Sequence, residues 1–152
     1  MVHDSCIKAF SDKAKEQNWK EKKKQMKEVL LTLSDYESLA RQVFQRWIRK
    51  RDENEKCISC DTKMTELWDG GHFLKAEIYS GLIFEPTNCH KQCRKCNRFL
   101  NGNELNYRHG LIARYGEEYV LNLENKRHEA RQYKFTKNEL IFIRDKYLKL
   151  LK

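Results

Sequence analysis

Two Cys-x-x-Cys pairs, Cys57/Cys60 and Cys93/Cys96, constrain this chain more than any other feature. Each pair turns sharply enough for both sulfurs to face one point, and two such knuckles supply the four thiolates of a tetrahedral zinc. A disulfide reading is disfavoured because six cysteines in an expected cytosolic chain meet a reducing compartment. A redox reading lacks the strand-to-helix context that a thioredoxin-like pair needs. A site closed by four thiolates leaves no position for substrate, so this zinc is expected to be a staple and not the catalyst. Cys6 and Cys89 remain as bystanders, with Cys6 alternatively the remnant of another metal segment.

The net charge of +9 on 152 residues, spread along the chain, favours an anionic polymer as partner, nucleic acid first. The opening MVHDSCIKAF has no apolar signal core and no later run approaches a spanning helix, so a cytoplasmic protein without membrane contact is expected.

Around the knuckles the sequence predicts an α+β organisation, with a basic helical arm over residues 1–33 and the remaining residues 34–152 as one domain. Ser11 to Glu28 is Lys-rich and reads as a solvated helix or a partly disordered arm. Ser34 and Glu37 form a capping-box pattern, with Leu33 placed as a staple. Tyr36, Leu39, Ala40, Val43, Phe44, Trp47 and Ile48 follow at helical spacing as a core-facing stripe. Arg41, Arg46, Arg49, Lys50 and Arg51 form its basic rim. The stretch from Cys57 to Gly102 reads as loops and short strands ending in a helix. Leu105, Leu111, Ile112 and Tyr115, a break at Gly116, then Tyr119, Val120 and Leu123 give further helical pattern. A last helix is announced by Thr136 and Glu139 as a capping box.

A minimal zinc ribbon has no need of the long insert between the knuckles, which holds WDGGHF and EPTNCH. Asn88 lies five residues before Cys93, and Asn97 directly follows Cys96. This arrangement resembles the zinc-bearing HNH nucleases of the ββα-metal superfamily, and the resemblance implies a zinc-stapled ββα core surrounded by helices. It implies His72 as general base, Asn97 as a ligand of one Mg2+ or Mn2+, and Asn88 as the residue that pins the loop. That superfamily commonly has Asp directly before the His; here Gly71 stands there. Asp69, with the same strand parity, is the expected metal ligand, brought back by a bulge at Gly70 and Gly71. His90 is open as a compensating ligand, a phosphate contact or a second proton-transfer group.

Taken together, FQRWIRKRDENEKCISC, WDGGHF, NCHKQCRKCNRFLNGNELNYRHGLIARYG and KFTKNELIFIRDKYLKLL resemble the NinG, or Rap, family of phage recombination proteins, from about Val29 to the C-terminus. The resemblance implies a phage-encoded, structure-specific endonuclease of the host cytoplasm. Its substrates would be Holliday junctions, D-loop-like joints and forks, cut by hydrolysis to leave 5′-phosphates. Such an enzyme draws affinity from phosphates, for which Arg46, Arg49, Arg51, Arg94, Lys95 and Arg98 are the candidates. Symmetric cutting implies a homodimer, with other recombination proteins as further partners. Two other readings stand beside it: a non-catalytic zinc-dependent DNA-binding adaptor, and a sequence-specific HNH homing or restriction nuclease.

Overall fold

The computed structural model describes residues 4–63 and 67–152, without the side chains of 4–8, 24, 27 and 28. Cys6 therefore lies outside the described side chains. The chain divides into two compact units, Met1–Asp35 and Tyr36–Lys152. The first holds helix α1 (Asp4–Val29), whose described residues are exposed along their length, as a Lys-rich sequence with few apolar positions dictates. Phe10, Trp19 and Met26 are among its exposed side chains.

Helix α2 (Leu33–Arg51) opens the second unit's core. Its cap differs from the one expected at Ser34 and Glu37. Thr32 and Asp35 form the reciprocal pair: Thr32 N–H donates to the Asp35 carboxylate at 2.8 Å, and Asp35 N–H donates to Thr32 Oγ1 at 3.3 Å. Glu37 instead accepts from Arg41 one turn on, and Leu33 is exposed. The core-facing stripe is as the periodicity requires, with Tyr36, Ala40, Phe44 and Ile48 buried. Phe44 meets Tyr147 edge-on at 5.0 Å and Phe84 at 5.8 Å, which joins α2 to helix α6 (Lys137–Leu150). Helix α6 carries the expected Thr136/Glu139 capping box.

Strand β1 (Trp68–His72) pairs antiparallel with β2 (Cys89–Cys93) in an unbroken register, Trp68 opposite Cys93 through to His72 opposite Cys89. No bulge forms at Gly70 and Gly71, in contrast to the expectation for Asp69. Both glycines are instead sites of close approach. A Cβ on Gly70 would lie 2.4 Å from Gln45 Oε1, and one on Gly71 would lie 2.1 Å from Gln92 Oε1. All five residues of β2 are buried, because α2 covers one face of the ribbon and the helices that follow cover the other.

A single turn of π-helix, Lys95–Phe99, follows β2 and carries Cys96, so the second knuckle runs from the last residue of β2 into this turn. Helices α3 (Glu104–Tyr115), α4 (Glu117–Asn125) and the short α5 (Arg127–Ala130) complete the order, with Gly116 at φ 88° making the expected break. Ile58, Phe73, Leu74, Tyr107, Leu111, Val120 and Leu123 form the second core. The molecule is thus helix-dominated α+β with one two-stranded sheet. No helix among the described residues is long and apolar enough to cross a membrane.

Tyr107 locks the sheet onto α3. Its hydroxyl donates to the Gly71 carbonyl at 2.8 Å, so the His90 Nδ1–H must be the donor in the 3.2 Å contact with the same phenol oxygen. Tyr107→Phe leaves two buried polar groups without their partner. It is expected to cost roughly 1–3 kcal/mol of unfolding free energy, read by denaturant titration of the metal-loaded protein; an unchanged midpoint would refute this role.

Candidate functional site

The first knuckle sits in a tight turn, where Asp61 N–H donates to Cys57 O and Cys57 N–H to Thr62 O, both at 3.0 Å. A further bond from Ile58 N–H to Lys91 O at 3.0 Å fixes this turn against β2, whose last residue is Cys93. The four sulfurs of Cys57, Cys60, Cys93 and Cys96 all lie within 4.8 Å of one another. Tetrahedral zinc with bonds of about 2.3 Å sets its sulfurs about 3.8 Å apart, and Cys60 and Cys93 stand at 3.8 Å. Backbone N–H groups already point at these sulfurs, Cys93 N–H to Cys57 Sγ and Cys96 N–H to Cys93 Sγ, each at 3.3 Å. Asn103 adds a side-chain donor to Cys96 Sγ at 3.4 Å. This donor set suits thiolates, and the four cysteines fit one metal such as zinc. Cys89, fully buried near Gln45, stands apart from the cluster; burial pushes its thiol up to about 12, as for an inert core residue.

The end of β1 and the π-turn face a small cavity of about 150 Å3, lined by His72, Lys75, Ala76, Glu77, Asn97, Asn101 and Gly102. The structure therefore brings His72 and Asn97 to one site. The His72 Nε2 lies 2.9 Å from the Ile83 carbonyl oxygen. A carbonyl only accepts, so Nε2 carries the proton and Nδ1 is the basic nitrogen of the neutral ring. Burial pushes the His72 pKa below its ordinary 6.5, against the Ile83 hydrogen bond, which raises it.

Asn88 is fully buried and binds the loop after β1 through three backbone groups. It accepts from Leu74 N–H at 2.7 Å and donates to Leu74 O at 3.0 Å and to Leu82 O at 3.2 Å. Because Leu74 lies two residues beyond His72, this clamp holds the end of β1 in place.

Asp69 is placed beside Asn97 and accepts its Nδ2–H at 3.1 Å, which leaves the Asn97 amide oxygen free of that bond. Arg98 donates twice to the same carboxylate, at 2.9 and 3.0 Å. Burial alone would raise Asp69, but the Arg98 and Asn97 hydrogen bonds outweigh it and hold the carboxyl below its usual range. Ligation of a cation by Asp69 requires Arg98 to move aside, which its 56% exposed side chain permits.

His90 is elsewhere. In the register it opposes Gly71 and so faces away from His72, with 3% of its surface exposed. Besides Tyr107, its Nε2 lies 3.4 Å from the Tyr119 hydroxyl, and burial pushes its pKa down to about 3. None of the three roles left open for it matches this position; the ring is a neutral core group tying β2 to α3 and α4.

Among the expected phosphate contacts, Arg51 is also corrected. Its guanidinium is spent internally, on the Asp52 carboxylate, Pro86 O at 2.9 Å and Cys89 O at 2.6 Å. Asp52 in turn accepts Lys91 N–H at 2.9 Å, so this pair anchors β2 to the end of α2. Arg46, Arg94 and Lys95 are exposed. Arg49, Arg94 and Arg98 line a groove of about 860 Å3 together with Lys50, Lys63, Trp68, Asp69 and Lys91. Trp68, Lys91 and Lys63 were passed over in the sequence; the adjacency of Trp68 to Asp69 on one strand was the available signal.

Loading with Zn2+ is expected to give one metal per chain, bound by four thiolates. Cobalt substitution read by its sulfur-to-metal absorption checks this, and Cys93→Ser should weaken binding and lower the unfolding temperature together. Full affinity in that variant would exclude the four-cysteine site.

The chain matches the family model described as Bacteriophage Lambda NinG protein over residues 5–152. It is 36% identical to Protein ninG of Escherichia phage 933W over 133 residues, which is 88% of this chain and 65% of that protein. Protein ninG of Escherichia phage lambda is 36% identical over 113 residues, 74% of this chain and 54% of the relative. Protein ninG of Salmonella phage P22 is 35% identical over 113 residues, with the same coverage. This chain thus spans less than two thirds of the length of these relatives. No solved structure matches it. A family model that covers nearly the whole chain, and relatives that match across most of it, make the chain a member of the NinG family of phage lambda-like proteins.

Proposed function

We propose that the protein is a metal-dependent endodeoxyribonuclease of the HNH type that hydrolyses phosphodiester bonds in branched DNA during phage recombination. The observation that carries this reading is the His72 ring, whose tautomer is set by the Ile83 carbonyl and which lines one cavity with Asn97. The order of elements supports it: β1 with Asp69 and His72, β2 directly after Asn88, then a helical turn with Asn97. Membership of the NinG family supports the phage setting.

In the proposed reaction, His72 Nδ1 takes a proton from a water as the water oxygen attacks phosphorus. The P–O3′ bond breaks, the departing O3′ takes a proton from solvent water, His72 returns its own to solvent, and the products carry 3′-hydroxyl and 5′-phosphate ends. Burial keeps His72 neutral so that this nitrogen is available near neutral pH. Asn88 acts through position alone, holding the backbone beyond His72. The residues fit a hard divalent cation, which takes few protein ligands and completes its shell with phosphate and water. Asn97 and the adjoining Asp69 would hold Mg2+ or Mn2+, and Glu77 is the carboxylate that lines the His72 cavity. When bound, such an ion would stabilise charge on the phosphate and on the departing oxygen. Arg46, Arg49, Arg94, Lys95 and Arg98 would receive the backbone.

The test is cleavage of labelled four-way junction, fork and linear duplex in Mg2+ or Mn2+. His72→Ala should reduce cutting of the branched substrates by roughly 10²–10⁴-fold while binding persists, and Asn97→Ala should lower it too. The pH dependence has a definite sign: because burial holds His72 below its ordinary 6.5, the midpoint of the acid-side fall in rate should lie below that pH. Binding without cutting under every condition would instead favour the zinc-dependent adaptor. A midpoint above 6.5 would remove His72 as the base.

Paired cuts across a junction need two such sites, so the active species is proposed to be a homodimer. Sedimentation is expected to show a dimer on junction DNA; monomer both free and bound would exclude it.

A further inference from the structure

The groove beside the His72 cavity has a floor unlike its rim. Trp68, half-buried at the start of β1, lies there with the Lys91 ammonium 4.7 Å from its ring centroid. Lys91 is 2% exposed, and its Nζ donates to a carbonyl, Glu53 O, at 2.8 Å. Among the described residues it has no ion pair. A buried cation matched only by a carbonyl and an indole makes the floor electropositive. The groove's carboxylates do not cancel this. Asp69 is paired with Arg98 and Glu55 with Arg114 at 3.5 Å, which leaves Glu53 against Arg49, Lys63 and Arg94. Cations along a rim and a fixed aromatic ring between them are the two parts of a single-strand site: the rim tracks phosphates and the ring stacks a base. Bases inside an intact duplex are already stacked and present no face to such a ring, whereas a branch point exposes them. The volume, about 860 Å3, lies within the ordinary range for a ligand site.

We infer that this groove binds single-stranded DNA, with one unpaired base stacked on Trp68 and its flanking phosphates on Arg49, Lys63 and Arg94. The inference rests on the proposed action on branched DNA and names what part of a branch is held: the unpaired nucleotide beside the cut site. The groove and the His72 cavity share a wall, since Asp69 lines the first, Asn97 lines the second, and the two are hydrogen-bonded. Lys91 holds the indole in place before DNA arrives, so little side-chain freedom is lost on stacking.

The experiment is fluorescence anisotropy of a short labelled oligothymidylate and of a linear duplex, with zinc-loaded protein and no other divalent metal. No cleavage step enters this readout, so a failed nuclease reading and a failed stacking site are told apart. Wild type and His72→Ala should bind the single strand alike. Trp68→Ala and Trp68→Leu should weaken it by about 5- to 100-fold, and Trp68→Phe, which keeps a stacking ring, should stay close to wild type. Duplex affinity should be nearly unchanged in all of them. Zinc content and unfolding temperature identify a variant that has lost its fold, in which case the Leu and Phe pair decides. Equal single-strand affinity for Trp68→Leu and wild type would overturn the inference, as would equal weakening of duplex and single strand. Absence of single-strand binding by wild type would overturn it as well.

Discussion

The four-sulfur cluster is the constraint on which the remaining geometry hangs. A two-stranded ribbon of five-residue strands is marginal in water by itself. Here one end of β2 is Cys93, and the turn just beyond it carries Cys96. The partner sulfurs come from a turn between α2 and β1, far away in sequence. Closing that loop with a metal contributes on the order of 10 kcal/mol in small structural zinc sites, more than any single hydrogen bond in the ribbon supplies. Burial and the neighbouring thiols push Cys96 up to about 12, so this ligand stays protonated near neutral pH until a cation takes the proton's place. With one, the N–H groups already directed at the sulfurs become charge-assisted bonds.

From that staple the site follows by register. Antiparallel pairing places His72 opposite Cys89 and His90 opposite Gly71, so the two histidines must face opposite sides of the ribbon. One side meets helices whose tyrosines absorb His90 into a neutral, buried network. The other side packs against α2, with the Phe44 ring 6.5 Å from that of His72, and only the end of β1 reaches the cavity with Asn97. Asn88 holds this arrangement by satisfying backbone groups of the loop beyond β1, and the Arg51–Asp52 pair by satisfying backbone groups of β2, a strand that has only one neighbour. The polar residues buried here are therefore mostly structural, and exposure to a cavity is what distinguishes His72 from His90.

Much of this was legible in the sequence because it is local. The knuckles, the α2 stripe, the Gly116 break and the Thr136/Glu139 cap each depend on residues a few positions apart. What was misjudged depends on partners distant in the chain. Arg51 looks like any other member of a basic run, and only the fold brings Pro86 and Cys89 carbonyls to its guanidinium. Tyr107 was passed over in favour of Leu105, which is exposed; a hydroxyl seeking the Gly71 carbonyl leaves no periodic trace. At α2 the competing caps lie two residues apart and both fit the pattern, so the choice of Thr32 over Ser34 rests on where the preceding chain turns. The expected bulge was a device to bring Asp69 back to a position one residue from His72. The strand pairing is instead unbroken, and Asp69 is held by the side chain of Asn97.

Asp69 then becomes the residue on which the proposed binding and chemistry meet. It lines the basic groove, is paired with Arg98 on the exposed side, and is hydrogen-bonded to Asn97 on the cavity side. An incoming phosphate competes for Arg98, since an anion in the groove offers the guanidinium a second partner. Transfer of Arg98 to phosphate releases carboxylate oxygens at the position where a divalent ion is needed. On the proposed reading, occupation of the groove thus favours metal binding beside His72, and an ion there strengthens the hold on DNA by the same amount, because the two equilibria share one carboxylate. The Asp69–Arg98 bridge would keep the site weak for metal until DNA arrives, which restrains hydrolysis to chains already seated.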